Sequence, residues 1–338
     1  MKLGVNWVTY ISVISAIILI IKLIIAKRFI VTRYAILMSI ILIIHWLIST
    51  DKFSTLLLMV TTLYLYEGIN SKQFNYKIII YPFIALFLFS FIITFPELLK
   101  SIKIAHSDRS NLYKGIFLNS NSYAAFCLMV LMSLILFFRT TKKRNILIFM
   151  VLISIYSTGS RNAMLFVIIS ILFYLNHKTK CAKFTFLYFI LFLVISSIYL
   201  IYFELNSGFD FDIMGKAANS AGRSEQIIYV INNFSVRIFG CGKDVIDNHL
   251  SLYGDYSIHN FYVNSLYALG ILPLFGYFYY IYTLWKSNLS IIAKSFILSF
   301  NVYFFFEPGT CYYWAFINVM PIIILQLHGK EFNVFRNN

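Results

Sequence analysis

Runs of about twenty apolar residues recur from one end of this chain to the other, and no other feature restricts its fold so severely. Wound as a helix, a run of that length spans roughly 30 Å of hydrocarbon. In lipid a helix also satisfies its own backbone donors and acceptors. Eleven spans are expected, at about 4–25, 34–50, 53–69, 77–96, 116–138, 145–158, 162–176, 183–204, 259–284, 289–306 and 312–328. Only 12% of the residues are charged and the mean hydropathy is +0.79. A water-facing surface needs about twice that charge. The chain therefore reads as an all-α polytopic membrane protein, a single integral domain over residues 1–338. The opening stretch, MKLGVNWVTYISVISAIILIIKLIIAKR, is longer than a signal h-region and has no A-x-A site, so it is expected to be a retained helix.

The net charge of +15 would point to nucleic acid in a soluble chain. Its distribution gives another answer. With the N-terminus outside and the C-terminus cytoplasmic, 17 of the 28 basic residues fall on the inner side beside only two acids, Glu67 and Glu331. The outer side receives 11 basic and 11 acidic residues, so the whole excess is cytoplasmic. That is the retention signal of multi-span proteins and an attraction to anionic lipid. No nucleic-acid partner is expected; the bilayer is.

Two outer segments are long. One is 97–115, ELLKSIKIAHSDRSNLYKG; the other, 205–258, holds much of the chain's Asp, Gly and Asn and is expected to form one large ordered extracytoplasmic cap. Within it RSEQIIYVINNF sets Ile227, Ile228, Ile231 and Phe234 at helical spacing, and FGCGKD reads as a compact turn.

Four places could carry chemistry. YSTGSRNAMLF puts Ser157, Thr158, Gly159, Ser160 and Arg161 on the outer side, between two short spans. Arg161 can be a snorkelling residue at a helix end. It can equally hold an anion, because a tight polar turn feeding a helix N-terminus presents N–H groups and a positive dipole end. A guanidinium there suits phosphate. In AGRSEQIIYVINNFSVRIFGCGKD, Arg223 opens the amphipathic stretch, and Gly240 and Gly242 bracket a sharp turn. His259 and Asn260 stand at the mouth of the ninth span, where an imidazole could transfer a proton near neutral pH. Asn119 and Asn121, in GIFLNSNSYAAF, could bond sugar hydroxyls or cap the fifth span. The cysteines (Cys127, Cys181, Cys241, Cys311) lack CxxC spacing, and Cys241 and Cys311 share the outer side as free thiols or a pair. His249 and His259 lack metal-ligand spacing, so neither a metal nor a cofactor is expected.

In this order, GIFLNSNSYAAF, STGSRNAMLF, the loop GR…IFGCG and HNFYVNSLYALGILP resemble the O-antigen polymerase and O-antigen ligase superfamily over roughly residues 115–285. The resemblance implies a membrane-embedded helical glycosyltransferase fold in the cytoplasmic (inner) membrane, with its active site on the outer face. It implies a donor linked to undecaprenyl diphosphate, Arg161 and Arg223 holding the diphosphate, and His259 as the acid–base residue. Ser160, Asn119, Asn121, Gly240, Gly242 and Asn260 would line the substrate site. A chain-length regulator and a flippase would be pathway partners. The product would be O-antigen or capsular polysaccharide. A ligase moving a finished glycan to an acceptor is the alternative within the superfamily, and a non-enzymatic flippase is the alternative outside it. A flippase is expected to carry paired half-repeats and charges near the midplane, whereas here the charges gather at span ends.

Overall fold

The computed structural model describes residues 77–103, 112–117, 119–177, 212–213, 216–217, 223–251, 260–286 and 289–306, with isolated positions at 324, 325 and 328. The expected spans at 4–25, 34–50, 53–69 and 183–204, and nearly all of 312–328, lie outside the described residues. The regular structure among the described residues is helical, apart from one antiparallel pair of two-residue strands, β1 (Asp212–Ile213) and β2 (Lys216–Ala217). The chain divides into two compact units, each drawn from several stretches: one takes in Asn75–Ile228, Thr283–Glu307 and Val319–Asn338, the other Met1–Phe74, Tyr229–Tyr282 and Pro308–Asn318.

In the first unit, α1 (Lys77–Ile93) runs into α2 (Phe95–Lys103) through a 69° bend. Pro96 accounts for it: it has no N–H to offer the carbonyl of Ile92, and its ring crowds that carbonyl. Helical bonding otherwise crosses the break, from the N–H of Thr94 to Ser90 and from that of Leu98 to Thr94. The loop reading of 97–115 therefore gives way, in its first part, to a helix.

The centre of this unit is α3 (Ser120–Phe137). Every residue from Tyr123 to Leu134 is buried, so the helix is enclosed on all sides. Among the described residues it alone is long and apolar enough to cross a membrane by itself; α1 with α2 passes the same test as a bent pair. Eighteen residues at 1.5 Å each make about 27 Å. Against α3 packs α4 (Lys142–Ser157), capped by Thr141, whose hydroxyl accepts the Arg144 N–H at 3.2 Å. Lys142 and Lys143 are exposed at its first turn, and the Arg144 guanidinium donates to the Phe138 carbonyl at 3.0 Å. The basic cluster and the Ser157–Arg161 turn thus stand at opposite ends of one helix. After that turn, α5 (Arg161–His177) packs on a later helix of the same unit, Ile291–Phe306, described below as α10. Phe166 stacks on Phe296 and meets Phe300 edge-on, and the Ser170 hydroxyl reaches Ser299 at 2.7 Å. Such hydroxyls, bonded back to their own helix as well, tie apolar helices together.

The second unit carries most of the cap. α6 (Arg223–Asn233), which passes from the first unit into the second after Ile228, forms where the spacing requires, but its buried face is Gln226, Ile227 and Val230; Ile231 is exposed. An unexpected helix, α7 (Lys243–Ser251), buries Ile246 and Leu250, one turn apart. The span expected at 259–284 is interrupted. It consists of α8 (Phe261–Asn264), a π-turn (Ser265–Leu269), Gly270 at φ 102, and α9 (Ile271–Lys286), whose last residues enter the first unit, as does α10 (Ile291–Phe306).

The interruption has a cause. The strand of chain before α7 lies against it: Cys241 and Gly242 donate to Tyr267 and Ala268 at 2.9 and 3.0 Å, and Ile271 and Leu272 donate to Arg237 and Ile238 at 3.0 and 3.2 Å. A Cβ on Gly240 would sit 2.2 Å from the Ala268 oxygen, and one on Gly270 would sit 2.3 Å from that of Ile238. Two glycines face each other so that two backbones can touch. Gly240→Ala or Gly270→Ala should therefore destabilise the protein by on the order of 3 kcal/mol, from positive-φ strain and displaced backbone. A lowered thermal midpoint in detergent, with faster maleimide labelling of Cys241, is the expected readout.

Candidate functional site

The Ser157–Arg161 turn is where burial and polarity coincide. Ser157, Thr158 and Ser160 are all buried, the last 2% exposed, while Arg161 is half-buried. Gly159 takes φ 61, letting the chain reverse between α4 and α5. The turn bonds largely to itself. The Thr158 hydroxyl donates to Ile155 at 2.6 Å and accepts the Ser160 N–H at 3.2 Å, and the Gly159 N–H donates to Tyr156 at 3.0 Å. The expectation that this turn offers its own N–H groups to an anion is thus corrected: those of Gly159 and Ser160 are engaged internally.

What remains is the start of α5. The Ser160 carbonyl accepts the Met164 N–H at 3.1 Å, so Ser160 holds the N-cap position. A serine there normally caps through its hydroxyl; here the Ser160 Oγ is buried with no hydrogen-bond partner. Ser154 Oγ, just before the turn, is likewise buried and unpartnered. A hydroxyl so placed costs about 1–3 kcal/mol. The chemistry of the place is a helix dipole's positive end, a guanidinium and a hydroxyl with a proton to give.

Tyr113, which the sequence reading did not single out, holds this turn. Its N–H donates to the Ser157 carbonyl at 3.1 Å, and its ring meets Tyr123 edge-on at 5.1 Å. Its hydroxyl lies 2.7 Å from Thr94 Oγ1. Since the Thr94 proton goes to the Ser90 carbonyl at 2.7 Å, Tyr113 is the donor of that pair. Burial pushes its phenol pKa up, keeping the donor protonated. GIFLNSNSYAAF and STGSR, separated in sequence, thereby meet through one tyrosine. The only signal was an aromatic two residues ahead of Gly115, which is too common to read.

The other expected residues are placed as follows. Asn119 caps α3, its side chain accepting the Asn121 N–H at 2.8 Å; Asn119 is exposed and Asn121 half-buried. Asn260 is buried and caps α8, accepting the Val263 N–H at 3.0 Å. Of the two readings offered for Asn119, capping is the one seen. Gly240 and Gly242 lie against the π-turn, two turns beyond Asn260, so those three share the second unit. Asn264, also missed, is the last residue of α8, just before that turn, and is buried with Oδ1 unpartnered. Arg223 is the first residue of α6. Its side chain, and His259 and Cys311 entirely, lie outside the described residues. Cys241 is a free, half-buried thiol.

No family model matches this chain, and neither does any curated protein or solved structure.

Burial pushes the Cys241 thiol up, with nearby Arg237 opposing. Alkylation of Cys241 should be slower than that of a peptide thiol at neutral pH. It should still be climbing above pH of about 8.5, the ordinary thiol midpoint. A rate that levels off below that pH would contradict the burial described.

Proposed function

We propose that this chain is a polysaccharide polymerase of the cytoplasmic membrane, with eleven spans and its N-terminus outside. It would join undecaprenyl-diphosphate-linked oligosaccharide repeats on the outer face. The observation that carries the reading is the Ser160 Oγ, buried and unpartnered at the N-cap of α5 beside Arg161. A phosphate oxygen would accept that hydroxyl's proton and meet the helix's positive end, with the arginine fork alongside.

The chemistry follows from the donor. The bond between the sugar's anomeric carbon and the diphosphate oxygen breaks, the acceptor hydroxyl bonds to that carbon, and its proton passes to His259. The diphosphate leaves on the polyprenol. It is already a good leaving group, so the barrier falls chiefly by neutralising the charge that develops on it, the task given to Arg161 and Arg223. His259 acts as general base.

Purified protein should be stabilised against heat by undecaprenyl diphosphate. Ser160→Ala should leave the unliganded protein as stable or slightly more so, because an unpartnered buried hydroxyl is removed. It should weaken lipid binding about tenfold to a hundredfold, the worth of a hydrogen bond to a charged acceptor. In cells, Arg161→Ala and His259→Ala should abolish polymer at normal protein levels, and Arg161→Lys should be damaging too, since an ammonium lacks the bidentate fork. Long polymer persisting with Arg161→Ala would remove the clamp. Single repeats on the surface lipid of a strain lacking the protein mark a polymerase, and none mark a ligase.

A further inference from the structure

Helix α2 occupies what the sequence offered as loop, and its exposed surface is not that of a helix in water. At about 100° per residue, the residues from Thr94 to Ile102 fall into three stripes. Leu98 and Ser101, with Thr94 at the bend, are buried, on a helix that packs against α4. Pro96, Glu97 and Lys100 form an exposed stripe opposite. Between these, Phe95, Leu99 and Ile102 line up 42, 45 and 43% exposed. A helix lying between a protein and water needs only a buried and a polar stripe. A third stripe, apolar and exposed, calls for a third surrounding.

What that surrounding is can be read from the helix before it. α1 brings exposed Phe89, Ile92 and Ile93 up to the bend, immediately ahead of exposed Phe95. For an α1 that crosses a bilayer, the 69° bend sets α2 close to the plane of that bilayer. We infer that α2 lies in the bilayer's boundary between headgroups and acyl chains, in the leaflet on the side of the Ser157–Arg161 turn. Phe95, Leu99 and Ile102 point into the acyl region, Glu97 and Lys100 into the headgroups and water, and Leu98 and Ser101 onto the protein.

The position of α2 fixes a depth for the candidate site. Thr94 at the bend accepts from Tyr113, and Tyr113 donates to Ser157, so two hydrogen bonds link the bend to the turn. Ser160 and Arg161 then stand near the level where a lipid carries its phosphate. The depth of α2 stands without the polymerase reading; only this consequence rests on it.

The test labels the full-length chain, with its native cysteines replaced, by an environment-sensitive fluorophore at Leu99→Cys, Ile102→Cys or Lys100→Cys, after reconstitution into phosphatidylcholine vesicles. Quenching is compared among lipids bearing a nitroxide near the carbonyl, lipids bearing one near the methyl end, and aqueous iodide. Positions 99 and 102 should be quenched about twofold or more better by the shallow than by the deep nitroxide and be shielded from iodide, with position 100 open to iodide. Equal iodide quenching at all three would place α2 in water, and stronger quenching by the deep nitroxide would make it a re-entrant segment; either overturns the inference. If Leu99→Cys yields no monodisperse protein, Phe95→Cys tests the same stripe. Because the readout is depth, a wrong depth with diphosphate binding intact sinks this inference alone, and lost binding at the expected depth sinks only the polymerase reading.

Discussion

One backbone hydrogen bond, from the Tyr113 N–H to the Ser157 carbonyl, joins the parts of the first unit that matter most. On one side of it lies the bend between α1 and α2, reached through the tyrosine hydroxyl. On the other lies the turn between α4 and α5, and the ring itself rests on Tyr123 of the enclosed helix α3. The two hydrogen bonds through Thr94, Tyr113 and Ser157 join buried polar atoms, where an unmade bond costs more than a made one contributes. The turn therefore has one favoured shape. In that shape its own N–H groups are engaged and the Ser160 hydroxyl is left without a partner. The phosphate reading depends on that residue of unsatisfied polarity, rather than on the small-residue composition that first drew attention to the segment.

The second unit uses the same economy with backbone alone. Gly240 and Gly270 approach so closely that neither tolerates a Cβ, and four backbone hydrogen bonds hold the extended segment 237–242 on the broken helix. The π-turn is the local price of the fit, placing Gly270 where only glycine is comfortable. Such turns often mark functional positions, and Asn264, the residue just before this one, has a buried, unpartnered oxygen.

Much of this could be read from the sequence where apolar period and flanking polarity agree. The helices near 145–158, 162–176 and 289–306 form within a few residues of expectation, as does the amphipathic stretch from Arg223. What escaped notice was set by contacts distant in sequence. The break at Gly270 is imposed by residues thirty positions earlier, and an unbroken apolar run conceals it. α2 was hidden because a proline and three charges in nine residues look like a loop. The face that α6 buries differs from the one its apolar spacing marks, exposing Ile231 and burying Gln226. In the candidate site, Ser160 and Arg161 were visible as a polar interruption, whereas Tyr113 was not, because a tyrosine in a chain with 25 of them carries no signal.

We propose a chain that makes a glycosidic bond at the expense of a lipid diphosphate. The most direct measurement reconstitutes the purified protein with an undecaprenyl-diphosphate-linked oligosaccharide and resolves the products on a gel. The account requires a ladder rising by one repeat at a time, with one undecaprenyl diphosphate released for each bond formed. Donor that stays a single repeat, or that merely crosses the bilayer unchanged, would contradict it.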